Sequence, residues 1–276
     1  MNTENCVIAV QCALEREAEL IVSKMDDAQT ETILNNRVTT GSYKGVPLVV
    51  CVGGMGAANA ASASQFIIDR YTPKALIFSG IAGSINPGLA VGDILICAEQ
   101  HYAETNTPII AECPPYLEYF PSDKKLVEAA IESVEQTGFR RIPSQRELVG
   151  MPSSLVRDVR PERLDAESSV SGIAVGPGMQ DQHYVVGNIS TSDRFNTDPD
   201  VLKELVERFG AEGEAMEEAP AAQIAGKCGV PFLCIRGISN PCGEAYDDLN
   251  AHERNMQGAA DNAGMVTLGV VSHIGR

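Results

Sequence analysis

The chain has 276 residues, 44% of them apolar, with 21 Lys and Arg against 37 Asp and Glu and a formal charge of -16. That length and apolar share can bury a sizeable core, which excludes a disordered chain. A surface this negative repels phosphate backbones and anionic membranes, so nucleic-acid and membrane partners are not expected.

The eight cysteines are scattered, with no Cys-x-x-Cys pair. Cys6, Cys12, Cys51, Cys97 and Cys234 sit in apolar runs, where a thiol acts as a small hydrophobe. Neither a disulfide framework nor a zinc site is expected. The opening "MNTENCVIAVQC" has no basic segment before its apolar run, and no run reaches membrane-spanning length. The expectation is a reduced, cytoplasmic, soluble protein.

In chain order, "NCVIAVQC" (Asn5 to Cys12) reads as a buried strand. "ALEREAELIVSKM" (Ala13 to Met25) follows at helical spacing, with Leu14, Ala18, Ile21 and Met25 on one face. "RVTTGSY" and "VPLVVCVGG" form a hairpin across "KG". "GMGAANAASASQFIIDRY" is a glycine turn, then a helix of small residues suited to lie close on a sheet. "KALIFSG" and "DILICAE" are buried strands. "PSDKKLVEAAIESVEQTG" is a helix with Ser122 or Asp123 as cap and Gly138 as stop. Arg140 to Asp181 is rich in Pro, Gly, Ser and charge, without a clear period. It is expected to be an irregular insertion or flap, at about 140–182, on one domain spanning 1–276. "YVVGNISTS" is a strand. "TDPDVLKELVERFG" is a helix with Pro199 first and Gly210 past its end. "EAMEEAPAAQIAGKCG" leads through a turn into a buried helix, "VPFLCIRGISNP" is another strand, and a last helix runs from about Asp248 to His273. Strands alternating with helices predict an α/β fold, a three-layer α/β/α sandwich around a mixed, mostly parallel sheet.

Ligands of such sheets sit beyond the strands' carboxyl ends, so the loops after Cys12, Phe78, Ser190 and Gly237 should converge. Glu17 belongs to the first of these; flanked by Glu15 and Glu19, it reads either as part of a solvated acidic face or as a catalytic acid. "FSGIAGSINPG" (Phe78 to Gly88) lets backbone approach a ligand, or makes a tight crossover. It is neither a Walker loop nor a dinucleotide fingerprint. In "AMEEAPAA", Met216 and Glu217 stand at the mouth of a buried helix. Glu217 there can accept two hydroxyl hydrogen bonds, as sugar recognition requires, or cap the helix. Asn240 ends its strand as a side chain presented to a loop mouth. The four His share no ligand spacing, so no metal or cofactor is expected. No Gly-x-Ser-x-Gly elbow appears, and among the converging loops the only cation noted is Arg194.

Taken in order, these loops resemble the nucleoside phosphorylase/nucleosidase superfamily, and within it the 5′-methylthioadenosine/S-adenosylhomocysteine nucleosidases. The resemblance is carried by "ALEREAEL" (Ala13 to Leu20), Gly54-Met55-Gly56, "GIAGSINPGLAVGD", Thr191-Ser192-Asp193-Arg194-Phe195 and Met216-Glu217. It implies an enzyme hydrolysing an N-glycosidic bond to free base and ribosyl product, usually a homodimer. Its implied catalytic residues are Glu17, which activates water, Glu217, which holds the ribose hydroxyls, and Asn240 at the leaving base. Its implied substrate-binding residues are Leu14 and Met55 at the 5′-substituent, Met216 on the sugar, Phe195 on the base, and Ile81, Ala82, Gly83 and Ser239 around them. Phosphorylases of the superfamily carry Gly-Asp-Pro-x-Arg after the first strand and an Arg before the glycine loop. "CALEREAEL" and "LIFSG" stand there instead, which points to water as the nucleophile. Ser239-Asn240 replaces the Ser-Asp of the methylthioadenosine enzymes and Ile81 their loop Ser. Futalosine hydrolases resemble the chain at both places, so hydrolysis of futalosine or another 6-oxopurine nucleoside is an alternative. A nucleoside phosphorylase and a catalytically weak nucleoside-binding protein are further alternatives.

Overall fold

Side chains of neighbouring strand residues point to opposite faces, so a strand apolar throughout must be covered on both. The computed structural model, which describes residues 7–149, 182–244 and 253–275, has that design. In chain order its elements are β1 (Ile8–Cys12), α1 (Glu15–Ser23), β2 (Asp26–Ile33), β3 (Asn36–Tyr43), β4 (Val46–Val52), α2 (Ala57–Tyr71), β5 (Ala75–Ser84) and β6 (Ile94–Tyr102). Then come α3 (Thr107–Ile110), β7 (Phe120–Pro121), α4 (Lys124–Gln136), β8 (Arg140–Arg141), α5 (Gln145–Leu148) and β9 (His183–Thr191). The last are α6 (Pro199–Phe209), β10 (Ala211–Ala215), α7 (Glu218–Cys228), β11 (Phe232–Pro241) and α8 (Glu253–Ile274).

Ile8, Val10, Ile77, Leu233 and Ile235 pack in one core with Ile21, Leu126, Val134, Val266 and Val270 from α1, α4 and α8. Their neighbours Ala9, Leu76, Phe78 and Cys234 pack in a second core with Ala60, Ala63 and Ile67 of α2 and Ala219, Ala222 and Ala225 of α7. The sheet is thus the middle of three layers, and small residues let α2 and α7 lie close.

The strand order is β10-β9-β6-β11-β5-β1-β4-β3-β2, with β7 beside β6 and β8 beside β9. β4, β1, β5 and β11 run parallel. β6 is antiparallel to β11, and β9 and β10 follow the direction of β6. β10 also pairs with β5, Gly213 opposite Ser84 and Glu214 opposite Gly83. That short antiparallel pairing closes β5, β11, β6, β9 and β10 into a ring. The expected convergence of loops therefore has two causes. β1, β5 and β11 share a direction; β9 and β10 run against them, and ring closure brings their ends back.

The expected caps form. Asp123 accepts from Lys125 N and Leu126 N at the start of α4, and Asp198 caps α6 ahead of Pro199. Gly210 ends α6 in the left-handed region, at φ 61°. Two expectations need correction. The first helix stops at Ser23, and Asp26–Ile33 is a strand along which nearly every residue is exposed. An exposed strand carries no apolar alternation; pairing with β3 makes it. Residues 140–149 of the expected insertion belong to the body of the fold. β8 joins the sheet beside β9, and Ser144 and Glu147 form a capping box on α5. The rest of that insertion, like Cys6 and Asp248, lies outside the described residues. No helix among the described residues is long and apolar enough to cross a membrane.

β11 meets α8 through a bare position. A Cβ at Gly237 would overlap the backbone of Ala259. Neither backbone can yield cheaply, so Gly237→Ala should lower stability by about 1–3 kcal/mol. Urea denaturation checks this; an unchanged midpoint would mean that α8 does not rest on β11 there.

Candidate active site

β11 is apolar from Phe232 to Ile235, then Arg236 interrupts it, only 1% exposed. A charge in that position must be paired. Its Nη2 lies 2.5 Å from Glu218 Oε1 and 3.1 Å from Glu217 Oε2, and its Nη1 lies 3.6 Å from Glu17 Oε1. Nη1 also donates to the Ile81 carbonyl at 3.0 Å, and the guanidinium stacks 4.6 Å over the Phe78 ring. Gly80 makes the meeting possible. A Cβ there would overlap Arg236 Nη1 and lie 2.5 Å from Glu17 Oε1.

Glu17 is 2% exposed, although Glu15 and Glu19 on either side face solvent. Its Oε2 accepts from Ala13 N at 2.8 Å and Leu14 N at 2.9 Å, and its Oε1 from Ile81 N at 2.9 Å. It is not part of a solvated face. Burial pushes its carboxyl above the ordinary range; Arg236 opposes this and Glu217 adds to it. Glu217 occupies the N-cap position of α7 but makes no side-chain capping bond. Its Oε1 accepts from Gly56 N at 3.0 Å, across 161 residues of sequence. Its Oε2 accepts from Met216 N at 3.3 Å and from Arg236. Glu218 accepts from Glu217 N and from the Thr191 hydroxyl, and burial raises its carboxyl too, against the pull of Arg236.

The N-termini of α2 and α7 both open on this cluster, and their partial positive charge favours carboxylates. Gly56 reaches Glu217 with φ at +92°, a left-handed conformation that suits glycine. The next residue, Ala57, donates to Asp193 Oδ1 at 2.7 Å, which ties the loop after β9 to α2.

Beyond the cluster lies the strand end expected to face a base. The Ser239 hydroxyl lies within hydrogen-bond distance of both the Ala82 carbonyl and Asn240 Oδ1, at 3.2 and 2.8 Å. Asn240 Nδ2 donates to Pro241 O at 2.9 Å. Both residues are buried. Gly83 is the residue opposite Asn240 in the β5–β11 pair. Phe195 and Met55 are exposed, at 42% and 47%. Leu14 and Met216 are half-buried. Backbone and side-chain contacts thus link Leu14, Glu17, Ile81, Met216 and Glu217, with Met55 adjoining Gly56. Ala82, Gly83, Ser239 and Asn240 join the same region through β5 and β11.

Three buried side chains of this region were absent from the sequence-derived site: Arg236, Glu218 and Glu214. Arg236 corrects the expectation that Arg194 is the only nearby cation. Arg194 is largely exposed and pairs with Glu104 at 3.4 Å. A lone charge inside an otherwise apolar strand was the available signal for Arg236.

The family model described as "Phosphorylase superfamily" matches residues 7–272, and the chain belongs to that superfamily. The 5′-methylthioadenosine/S-adenosylhomocysteine nucleosidase of Bacillus subtilis (strain 168) is 26% identical over 272 residues, 97% of this chain and 99% of that one. The nucleosidase of the same name from Neisseria meningitidis, solved in complex with methylthio-immucillin-A, superposes with a TM-score of 0.74 at 22% identity, covering 97% of this chain and 99% of that one. Futalosine hydrolase of Helicobacter pylori strain 26695 superposes with a TM-score of 0.73 at 18% identity, covering 97% of each chain. These solved structures share the fold.

Arg236→Met should cost about 3–5 kcal/mol, since it leaves three buried acids without their cation. The deficit should widen as pH rises above the ordinary carboxylate range. Buried acids with raised folded-state pKa values keep protons that the unfolded chain releases, so their folded form loses ground with rising pH. Denaturation at pH 5 and pH 8 measures both effects; a variant as stable as the native protein at pH 8 would mean that the cation is dispensable.

Proposed function

We infer that the chain hydrolyses the N-glycosidic bond of purine nucleosides, on the pattern of the 5′-methylthioadenosine/S-adenosylhomocysteine nucleosidases it is related to. The observation that carries this is the buried pair Glu17 and Glu217, held by Arg236 and by backbone N–H groups. Breaking such a bond builds positive charge on the sugar, and fixed carboxylates favour that charge. Glu217 accepts the ribose hydroxyls, with Met216 against the sugar. Glu17 takes the proton of the attacking water, and its raised proton affinity suits a base. Phe195 stacks on the purine, and Asn240 donates to it as it leaves. Leu14 and Met55 line the 5′-substituent pocket, while Ile81, Ala82, Gly83 and Ser239 shape the floor. Kinship with these enzymes also supports a cytoplasmic homodimer built from one catalytic domain.

Water rather than phosphate is the nucleophile. Arg236 already faces three carboxylates, so a phosphate dianion entering beside Glu17 meets net negative charge. A second reading follows from Asn240, whose amide does not titrate and can both donate and accept. It favours a 6-oxopurine nucleoside, as in futalosine hydrolysis, over an adenine one.

A panel of 6-amino and 6-oxopurine nucleosides, incubated with and without phosphate, should release free base and free ribosyl product at a phosphate-independent rate. Ribose-1-phosphate that accumulates with added phosphate would overturn the hydrolase reading. Glu217→Gln should fold normally by circular dichroism and lose roughly a hundredfold or more in kcat, because the amide keeps the shape without the charge. Near-native turnover would reduce Glu217 to a structural residue.

A further inference from the structure

Glu218 is the one acid of the Arg236 cluster to which the chemistry above gives no part. It is the first residue of α7 and is fully buried, in a helix that also buries Ala219, Ala221, Ala222 and Ala225. The helix dipole favours an acid at that end, but an exposed acid would serve it without the cost of desolvation. Its contacts account for its burial. Oε1 lies 2.5 Å from Arg236 Nη2, closer than Glu217 Oε2 at 3.1 Å. Oε2 accepts from Glu217 N at 3.1 Å and from the Thr191 hydroxyl at 3.2 Å, and that hydroxyl oxygen accepts in turn from Ala219 N at 3.0 Å. The end of β9 therefore fixes the carboxylate that meets the cation.

Glu17 receives what is left of that cation. Arg236 Nη1 stands 3.6 Å from Glu17 Oε1, beyond hydrogen-bond distance, and donates to the Ile81 carbonyl instead. The hydrogen bonds of Glu17 come from the N–H groups of Ala13, Leu14 and Ile81. Burial raises its proton affinity, and Arg236 is the main opposing influence. A cation paired closely with an acid acts more weakly on a third group, because the paired charges partly cancel at a distance. The grip of Arg236 on Glu17 thus depends on how far α7 neutralises it. The other titratable groups facing these residues are Cys12 beside Glu17, Cys97 and Glu214 beside Glu218, and Cys234 beside Arg236. Burial keeps the Cys12 and Cys97 thiols neutral, and none of the four is a cation.

We propose that Glu218 is a positioning residue for Glu17. It holds the Arg236 guanidinium against α7, weakens the cation's hold on Glu17, and so keeps Glu17 basic enough to take a proton from water. Glu218 touches neither the sugar nor the water; it acts only through Arg236. The inference rests on the hydrolytic reading of the site and adds what sets the strength of its base.

The test is the pH dependence of kcat and KM for purine nucleoside cleavage by the full chain, native and Glu218→Gln, alongside NMR titration of the Glu17 carboxyl in glutamate-labelled protein. Protonating Glu17 removes the base, so native kcat should fall off on the acid side at a pH above the ordinary glutamate value. Glu218→Gln keeps an acceptor for the Thr191 hydroxyl and the Glu217 N–H but loses the charge. Arg236 then pulls harder on Glu17, and the acid limb should move down by about one pH unit. The plateau kcat should drop, because a weaker base remains, while KM stays within about twofold. Glu218→Asp, which keeps the charge, should bring the limb back toward the native position. A merely structural acid would lower stability or kcat at every pH and leave the limb in place. That result, or a native Glu17 that titrates at or below the ordinary glutamate value, overturns the proposal; if the glutamine variant does not fold, the native value decides. A Glu17 titration that moves with Glu218→Gln in a protein that cleaves no nucleoside overturns the hydrolase reading alone. Cleavage with an unmoved limb overturns the proposal alone, and neither cleavage nor movement overturns both.

Discussion

One buried guanidinium organises the polar half of this molecule. Arg236 lies among Glu17, Glu217 and Glu218, which come from α1, the turn before α7, and α7 itself. Burying such a group is costly, and well-packed apolar residues would often serve stability as well or better. The cluster makes sense where fixed negative charge is wanted in a dry place. One cation faces three acids and holds each carboxyl in one orientation. Negative charge fixed in advance favours a group that becomes positive.

The rest of the architecture lets these charges meet. Gly80 gives up its side chain so that Arg236 and Glu17 can approach. Gly56 takes a left-handed conformation and aims its N–H at Glu217. The small residues of α2 and α7 let both helices sit low on the sheet with their positive ends at the cluster. Closure of the ring through Gly213 and Glu214 brings the end of β10 beside the end of β5. Met216 and Glu217 follow directly on β10, so that closure sets them beside β5.

The site has two chemically distinct ends. Around Arg236 lie carboxylates matched by backbone N–H groups and one cation. Around Gly83 lie the Asn240 amide, the Cys242 thiol and, opposite on β10, the Glu214 carboxyl, which pairs with no cation among the described residues. The first end favours a group that becomes positive. The second carries an amide and a carboxyl side by side in sequence-distant strands.

The sequence by itself determined the layers. Continuous apolar runs require a sheet covered on both faces, and Asp123, Asp198 and Gly210 mark helix ends by local chemistry alone. Glu217 was legible as an acid at the mouth of a helix too apolar to be exposed. The polar strand β2 was not legible, because an exposed edge carries no apolar period. Arg236, Glu214 and Glu218 were not legible as site residues either. Their meaning lies in partners tens to hundreds of residues away, and no local pattern encodes those. Only the tertiary structure decided that Glu17 is buried while Glu15 and Glu19 are not, and that Glu217 receives Gly56 instead of capping its own helix. The physical reason is that burial and charge pairing depend on which elements close over a residue, here β5 and β11 over Glu17 and the start of α2 over Glu217.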